Sequence, residues 1–316
     1  MLPLATPILF IVFNRPEETK KVFEEIRKVR PKYLFVAADA PRGDVRSDVS
    51  TCREVRHIFD QIDWDCEIKT RFLEKNLGCK LAVSSAIDWF FNQVESGIIL
   101  EDDCLPSLSF FYFCKEMLDR FKNDNRIMQI SGSCFIDTKK AFDCSYYFSR
   151  INDIWGWATW RRAWKCFDLE MRGYDAFKKE RRIYHYIPSV ETAQWLETYF
   201  DESFFLNSRV WSSQWSYAIA KENGLTIVPT VNLVENIGMK GLGVNSNIKS
   251  FEPYGHFTSK EMNGAIIHPQ FVLPNNCADE KRFGLIKKTD PRLFFSHKLI
   301  QAIRKIKNGF SFLNRT

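Results

Sequence analysis

The sequence predicts an α/β protein: a mixed, mainly parallel sheet flanked by helices. Three observations carry that prediction. Apolar runs are continuous rather than alternating, helical patterns of roughly 10–18 residues separate them, and polar residues stand where each run ends. "PILFIVF" (7–13) is rich in branched residues and reads as a fully buried strand. It stops at "NRPEE", where Pro16 and two acids suit the first turn of a helix over 16–29. "KYLFVAAD" (32–39) repeats the form and ends at Asp39 and the turn "APRGD". "DVSTCREVRHIFDQI" then reads as a helix, "CEIKTRFLE" as a strand and "NLGCKLAVSSAIDWFFNQV" as a loop followed by a helix. "GIIL" is the next strand, ending at Glu101, Asp102 and Asp103.

In such sheets ligands bind beyond the carboxyl ends of the strands. Asn14-Arg15, Asp39 and the acids 101–103 all stand at strand ends, so they are expected to converge on one cleft. Past residue 125 the pattern loosens. "RIMQISG", "SYYFSR", "LTIVP" and "NLVENIG" read as strands, "WGWATWRRAWKCF" as the start of a Trp-rich helix, and "VWSSQWSYAIAKENG" as a helix closed by Gly224.

Composition bounds the rest. The 316 residues are 45% hydrophobic and 27% charged, ordinary for a globular protein with an ample core. The net charge of +6 is a property of the tail: residues 281–316 hold ten Lys/Arg against one acid, +9, which leaves −3 for the first 280. That excludes a nucleic-acid-binding body. Nine cysteines form no CxxC pair and no zinc spacing, as expected of reduced thiols in a cytosolic protein. The N-terminal apolar run lacks a basic flank and is short, so it reads as neither a signal peptide nor a spanning helix.

Three adjacent carboxylates at the end of an apolar strand need compensation, because anions repel and each costs free energy to remove from water. A divalent cation would supply it. Mg²⁺ or Mn²⁺ takes oxygen ligands, often one or two protein carboxylates plus substrate phosphates, and neutralises a departing diphosphate. The alternative is a solvated acidic turn. A nucleotidyltransferase would open with a Gly-rich phosphate loop, which "VFNRPEE" lacks, and an Asp-nucleophile phosphatase would carry its acids after the first strand.

Four blocks, "ILFIVFNRPEETKKVFEEI", "NLGCKLAVSSAIDWFF", "GIILEDDCLPSLSFFYFC" and "IWGWATWRRAW", resemble bacterial nucleotide-diphospho-sugar transferases of GT-A (Rossmann-like) fold. That group is distantly similar to the N-acetylglucosaminyltransferase I family. The resemblance spans roughly residues 5–240. It implies a GT-A domain over 1–250, with a nucleotide-sugar half (1–125) and an acceptor half (126–250), followed by a C-terminal extension over 251–316. It also implies a metal-dependent hexosyl- or N-acetylhexosaminyltransferase that uses a UDP-sugar to extend a cell-surface or lipid-linked glycan. Asp103 would be the metal ligand, Asp102 a ribose contact and Glu101 a contact to the donor sugar. Arg15 and Asp39 would surround the base and ribose, unless they simply pair with each other. Lys80, following Gly78 at a helix start, would face the diphosphate, where the helix N-terminus also favours an anion. Gly156 and Trp157 would belong to the acceptor wall, the alternative being that Trp155, Trp157 and Trp160 are core at helical spacing.

Inverting transfer also needs a base, usually Asp or Glu. Related families place an acid inside a "W-D-x-x-W"-like stretch; here it reads "WSSQW" (211–215). Asp201, Glu202 and Glu235 are the remaining candidates, and a non-catalytic nucleotide-sugar or glycan binding protein is the alternative reading. The stretch after Gly238 also lacks the histidine the resemblance leads one to expect, with Asn245 near that place. In the tail, Leu299, Ile303, Ile306 and Phe310 share one helical face amid four cations. Residues 293–313 therefore read as a helix lying on an anionic membrane, which makes the protein cytoplasmic and peripheral on the inner face, or as a helix docked on the body.

Overall fold

The structure, a computed structural model, describes residues 3–138, 142–206, 208–238 and 257–289. Strand β1 (Ile8–Val12) is buried along its whole length. It lies parallel between β2 (Tyr33–Ala38) and β4 (Ser96–Glu101), and β3 (Glu67–Phe72) adds to the far side of β2. Helices α1 (Pro16–Val29), α2 (Arg46–His57, prolonged by a 3-10 turn) and α3 (Gly78–Phe91) connect these four strands. Side chains alternate across the sheet. Ile8, Phe10 and Val12 meet Val22, Phe23 and Ile26 of α1, while Leu9 and Ile11 share the opposite core with Ala86, Ile87 and Phe90 of α3. Because both faces are covered, every position is apolar, and each large side chain so buried contributes about 1.5–3 kcal/mol.

The second half extends the sheet with mixed strand directions. β6 (Ile127–Ser131), β7 (Tyr146–Ser149), β8 (Trp157–Trp160) and β9 (Leu225–Pro229) complete the order β3-β2-β1-β4-β8-β6-β9-β7. A ribbon of β5 (Cys104–Pro106) and β10 (Val234–Asn236) stands apart from it. The mixed, mainly parallel sheet flanked by helices is thus the architecture the sequence predicts.

One element differs. "WGWATW" is not the start of a helix: Trp157–Trp160 form β8, antiparallel to both β4 and β6, and only Arg161–Trp164 (α5) are helical. Trp157, Trp160 and Trp164 are three and four apart, which imitates a helical stripe. In a strand an odd spacing puts Trp157 and Trp160 on opposite faces, and the two rings fill different cores.

Helix α4 (Leu108–Arg120) packs under β8 on the α1 side. α6 (Tyr174–Lys179), α7 (Ile183–Tyr186) and α8 (Val190–Leu206) wrap a separate aromatic cluster with Tyr217 of α9 (Ser212–Lys221). Residues 257–289 pack against the body. The segment bonds to Ser145 at Ile267 and to Phe148 at Asn275, so it runs along β7. α10 (Asn276–Thr289) then docks through Asp279 on the Ser149 hydroxyl and the Arg150 amide, and through Arg282 on Asp153. The boundary drawn at 250, Asn245 and the helix expected over 293–313 lie outside the described residues.

Candidate functional site

Strand register builds the site. Ile11 of β1 sits opposite Glu101 of β4, and Val12 sits opposite Ala38 of β2. The residues that follow each strand, Phe13–Arg15, Asp39 and Asp102–Asp103, therefore leave the sheet along one rim.

Arg15 is brought directly onto the acids. One guanidinium nitrogen lies 2.9 Å from Asp102 Oδ1 and the other donates to Asp103 Oδ2 at 2.7 Å. Asp102 is buried, and its second oxygen accepts the Phe13 amide at 3.1 Å. Burial by itself would lower the Arg15 pKa, but Asp102 and Asp103 outweigh it and hold the guanidinium charged. Burial pushes the Glu101 carboxyl up, with the charges of Asp103 and Asp102 adding to the effect. It pushes Asp102 up as well, against the pull of Arg15. Among the described residues, three carboxylates thus stand around the one Arg15 guanidinium.

The β5–β10 ribbon closes over this cluster. Ile237 donates its amide to the Asp103 carbonyl at 2.8 Å. A Cβ on Gly238 would fall 2.5 Å from Arg15 Nη1 and 2.6 Å from Asp103 Oδ2, so only glycine allows the backbone to approach the ion pair this closely. Glu235 lies on the same ribbon, opposite Leu105.

Asp39 stands at the rim but faces inward. Its oxygens accept the amides of Ala40 at 2.8 Å, Leu77 at 3.0 Å and Gly78 at 2.9 Å, so it caps the start of α3 and does not pair with Arg15. Two amides that would have made the α3 N-terminus attractive to a ligand anion are thereby bonded within the protein. Lys80 stands in the first turn of α3. With the Gln214 amide oriented to suit its neighbours, Gln214 Oε1 accepts from Lys80 Nζ at 3.1 Å. The "WSSQW" block therefore reaches the rim through Lys80, a link no sequence spacing signals.

Asp48 and its partner Arg42 escaped sequence reasoning. Asp48 of α2 is buried, accepts from Asn14 Nδ2 at 2.9 Å and from Arg42 Nε at 2.6 Å, and so ties the "NRP" and "APRGD" loops together. The Arg42 hydrogen bond holds the Asp48 carboxyl at about 2. The sequence signals Asp48 only as an acid in the first turn of a helix.

Other candidates lie away from the rim or out of reach. Trp157 is 1% exposed and stacks on Trp211 beside Trp164 and Trp215, so its ring is core and presents no wall to an acceptor. Gly156 has φ +63, but what approaches it is Val234, whose Cγ2 would lie 2.7 Å from an added Cβ. Asp201 is buried in the satellite cluster, bonded to Lys178 and, at 2.8 Å, to the Tyr174 hydroxyl. Glu202 follows it on α8, half-buried.

No group of three or more His, Cys, Asp or Glu is arranged to hold a metal among the described residues. The donor chemistry nevertheless fits a hard divalent cation that takes one or two carboxylates and draws its other ligands from phosphate and water. The clustering of Glu101, Asp102 and Asp103 around Arg15 is the observation that favours such an ion.

No protein-family model matches the chain, and no curated protein is similar enough in sequence to be matched. Among solved structures, mouse xyloside xylosyltransferase 1 in its apo form is similar with a TM-score of 0.37 and 10% identity, over 80% of this chain and 94% of its own. HddC from Yersinia pseudotuberculosis is similar with a TM-score of 0.31 and 9% identity, over 49% of this chain and 77% of its own. Likenesses this distant carry no argument about activity.

Proposed function

We propose that the chain is a metal-dependent glycosyltransferase of GT-A fold that moves a sugar from a UDP-sugar to a cell-surface glycan, free or lipid-linked. The observation that carries this reading is the cluster at the end of β4: three carboxylates, one guanidinium, and a place at the carboxyl rim of a mainly parallel sheet. Mn²⁺ or Mg²⁺ would be held at Asp103 and would supply Lewis-acid neutralisation of the diphosphate. Arg15 and Lys80 bring fixed positive charge for the same anion, and Glu101 is an acid for sugar hydroxyls. Asp102 keeps Arg15 in place, since its two oxygens already serve Arg15 and the Phe13 amide. Asp39 acts on the nucleotide through the loop it caps. Of the three acids considered as base, Asp201 is held by Lys178 and Tyr174, whereas Glu235 rides on the ribbon that covers the ion pair. Residues 293–313 would bring the enzyme to an anionic membrane carrying its acceptor. Among the described residues no helix is long and apolar enough to cross one.

A second reading, a GT-A body that binds a nucleotide sugar or glycan without turning it over, is favoured by "WSSQW". The block holds no carboxylate, and its serine hydroxyls are engaged within the protein, Ser212 with the Tyr199 hydroxyl and Ser213 with Ser203. Hydrolysis and transfer assays with a panel of UDP-sugars and Mn²⁺, run with and without glycan acceptors, separate the two. Metal-dependent UDP release supports the enzyme; saturable binding with no release supports the binding protein.

A further inference from the structure

We infer that Gln214 is a positioning residue: from inside the "WSSQW" block its side-chain amide sets the Lys80 ammonium at the carboxyl rim. The inference deepens the donor-site reading and rests on it. Gln214 is the third residue of α9 and is 0% exposed. Its amide nitrogen faces the Ser213 hydroxyl at 3.0 Å and the Trp211 and Val210 carbonyls at 3.1 Å, all of them acceptors. The oxygen then faces the other way, and the group it meets is Lys80 Nζ.

Neighbouring elements hold the block that carries this amide. Trp211 stacks on Trp157 with ring centres 5.7 Å apart, Trp215 donates its indole N–H to Gln129 at 2.7 Å, and Ser213 bonds to Ser203 of α8. Lys80 is the opposite case, a point charge on a flexible four-carbon stem. An acceptor held in place removes part of the ordering cost when an anion takes the ammonium as its partner. The place is the rim itself. Asp39 bonds the Leu77 and Gly78 amides at the start of α3, and the Cys79 thiol feels the charges of Glu101, Asp103 and Arg15. A neutral amide suits this task. It orients the ammonium through a hydrogen bond and adds no counter-charge, whereas a carboxylate there would compete with a diphosphate for the same cation. "WSSQW" thus has a use that needs no acid.

The test is a calorimetric titration with UDP in the presence of Mn²⁺, on wild type, Gln214→Met, Lys80→Met and the double variant. Uridine serves as the matching ligand without phosphate. Gln214→Met is expected to weaken UDP binding about tenfold, to leave uridine binding unchanged, and to cause no further loss once Lys80 is replaced. Wild-type UDP affinity in Gln214→Met overturns the inference. So does an equal loss for uridine, or the same loss repeated in the Lys80→Met background. Where the methionine lowers the thermal midpoint, Gln214→Glu decides, since it keeps the shape and the acceptor while adding an anion. UDP affinity should fall in that variant, and unchanged affinity overturns the inference. A wild type that does not bind UDP overturns the donor-site reading and this inference with it; UDP binding with additive variants overturns the inference alone.

Discussion

Asp201 and Asp103 are both carboxylates held by a cation, yet they sit in opposite electrostatic settings. Asp201 has an ammonium, Lys178, and a phenol, Tyr174, inside a cluster closed by aromatic rings. Lys178 meets Asp201 closely and Glu197 at 3.9 Å, and the Tyr174 hydroxyl donates to Asp201 as well. Asp103 shares the Arg15 guanidinium with Asp102 and has Glu101 as a further acid neighbour, at a rim where the sheet ends. The first pair is enclosed by aromatic rings; the second lies at the sheet rim, where the proposed ion and diphosphate would add to it. Both acid side chains are largely covered, so what distinguishes them is where they lie and what surrounds them.

Removing each acid should therefore break different properties. The largest effect on stability is expected from Asp201→Ala, which leaves Lys178 without its close partner and Tyr174 without an acceptor. Breaking a buried pair costs about 3–5 kcal/mol; Glu197, 3.9 Å from Lys178, should hold the loss near the lower end. Urea unfolding measures it, and nucleotide affinity of the folded fraction should not change.

Asp279 extends the comparison to a third covered acid. Burial raises its pKa to about 6, although the Ser149 hydroxyl and the Arg150 amide oppose the shift. A carboxyl whose folded pKa lies above its unfolded value stabilises the fold when protonated. The contribution is full below about pH 4 and is lost as pH rises through about 6. At about 1.4 kcal/mol per unit, the change approaches 3 kcal/mol. Asp279→Asn should flatten that part of the stability curve between pH 4 and 8, measured as denaturation midpoints across pH. A slope that survives the substitution would assign it to another group.

The smallest effect belongs to Asp39. As the cap of α3 its replacement by Ala should cost about 1–2 kcal/mol of stability. Any loss of nucleotide affinity should follow the disturbed loop at Leu77–Gly78. If Asp39→Ala leaves the thermal midpoint unchanged yet abolishes binding, the carboxylate contacts ligand directly and the capping account fails.

The two halves of the body also differ in how readily the sequence can be read. The first half is legible because, the edge strand β3 aside, each strand of the sheet is buried on both faces. Its run is then continuous, and the polar residue at its end marks the rim; Pro16 and the acids after it place α1 at 16–29. Convergence of Arg15 with the acids followed from that pattern, but their pairing required the register of Ile11 against Glu101. The second half is less legible for physical reasons. Indole spacing in "WGWATW" imitates a helix, and its antiparallel strand carries rings on both faces. Helices α6 to α8 pack an aromatic cluster of their own, so their apolar residues report that cluster and not the sheet. Gly156 was legible as a close approach, but sequence could not tell that Val234, not a ligand, approaches it. Asp48 and the inward turn of Asp39 depend on loops meeting across the rim, which no local pattern encodes.

The most direct measurement is a calorimetric titration of the protein with UDP, with and without Mn²⁺, for wild type and Asp103→Ala. The clustering of acids around Arg15 predicts binding that strengthens with Mn²⁺ in the wild type. It also predicts loss of the metal-dependent part in Asp103→Ala, while the variant keeps the wild-type thermal midpoint to within a few degrees. Equal affinity and equal metal dependence in the two proteins would contradict it, and would mean that Arg15 alone satisfies the acids at the end of β4.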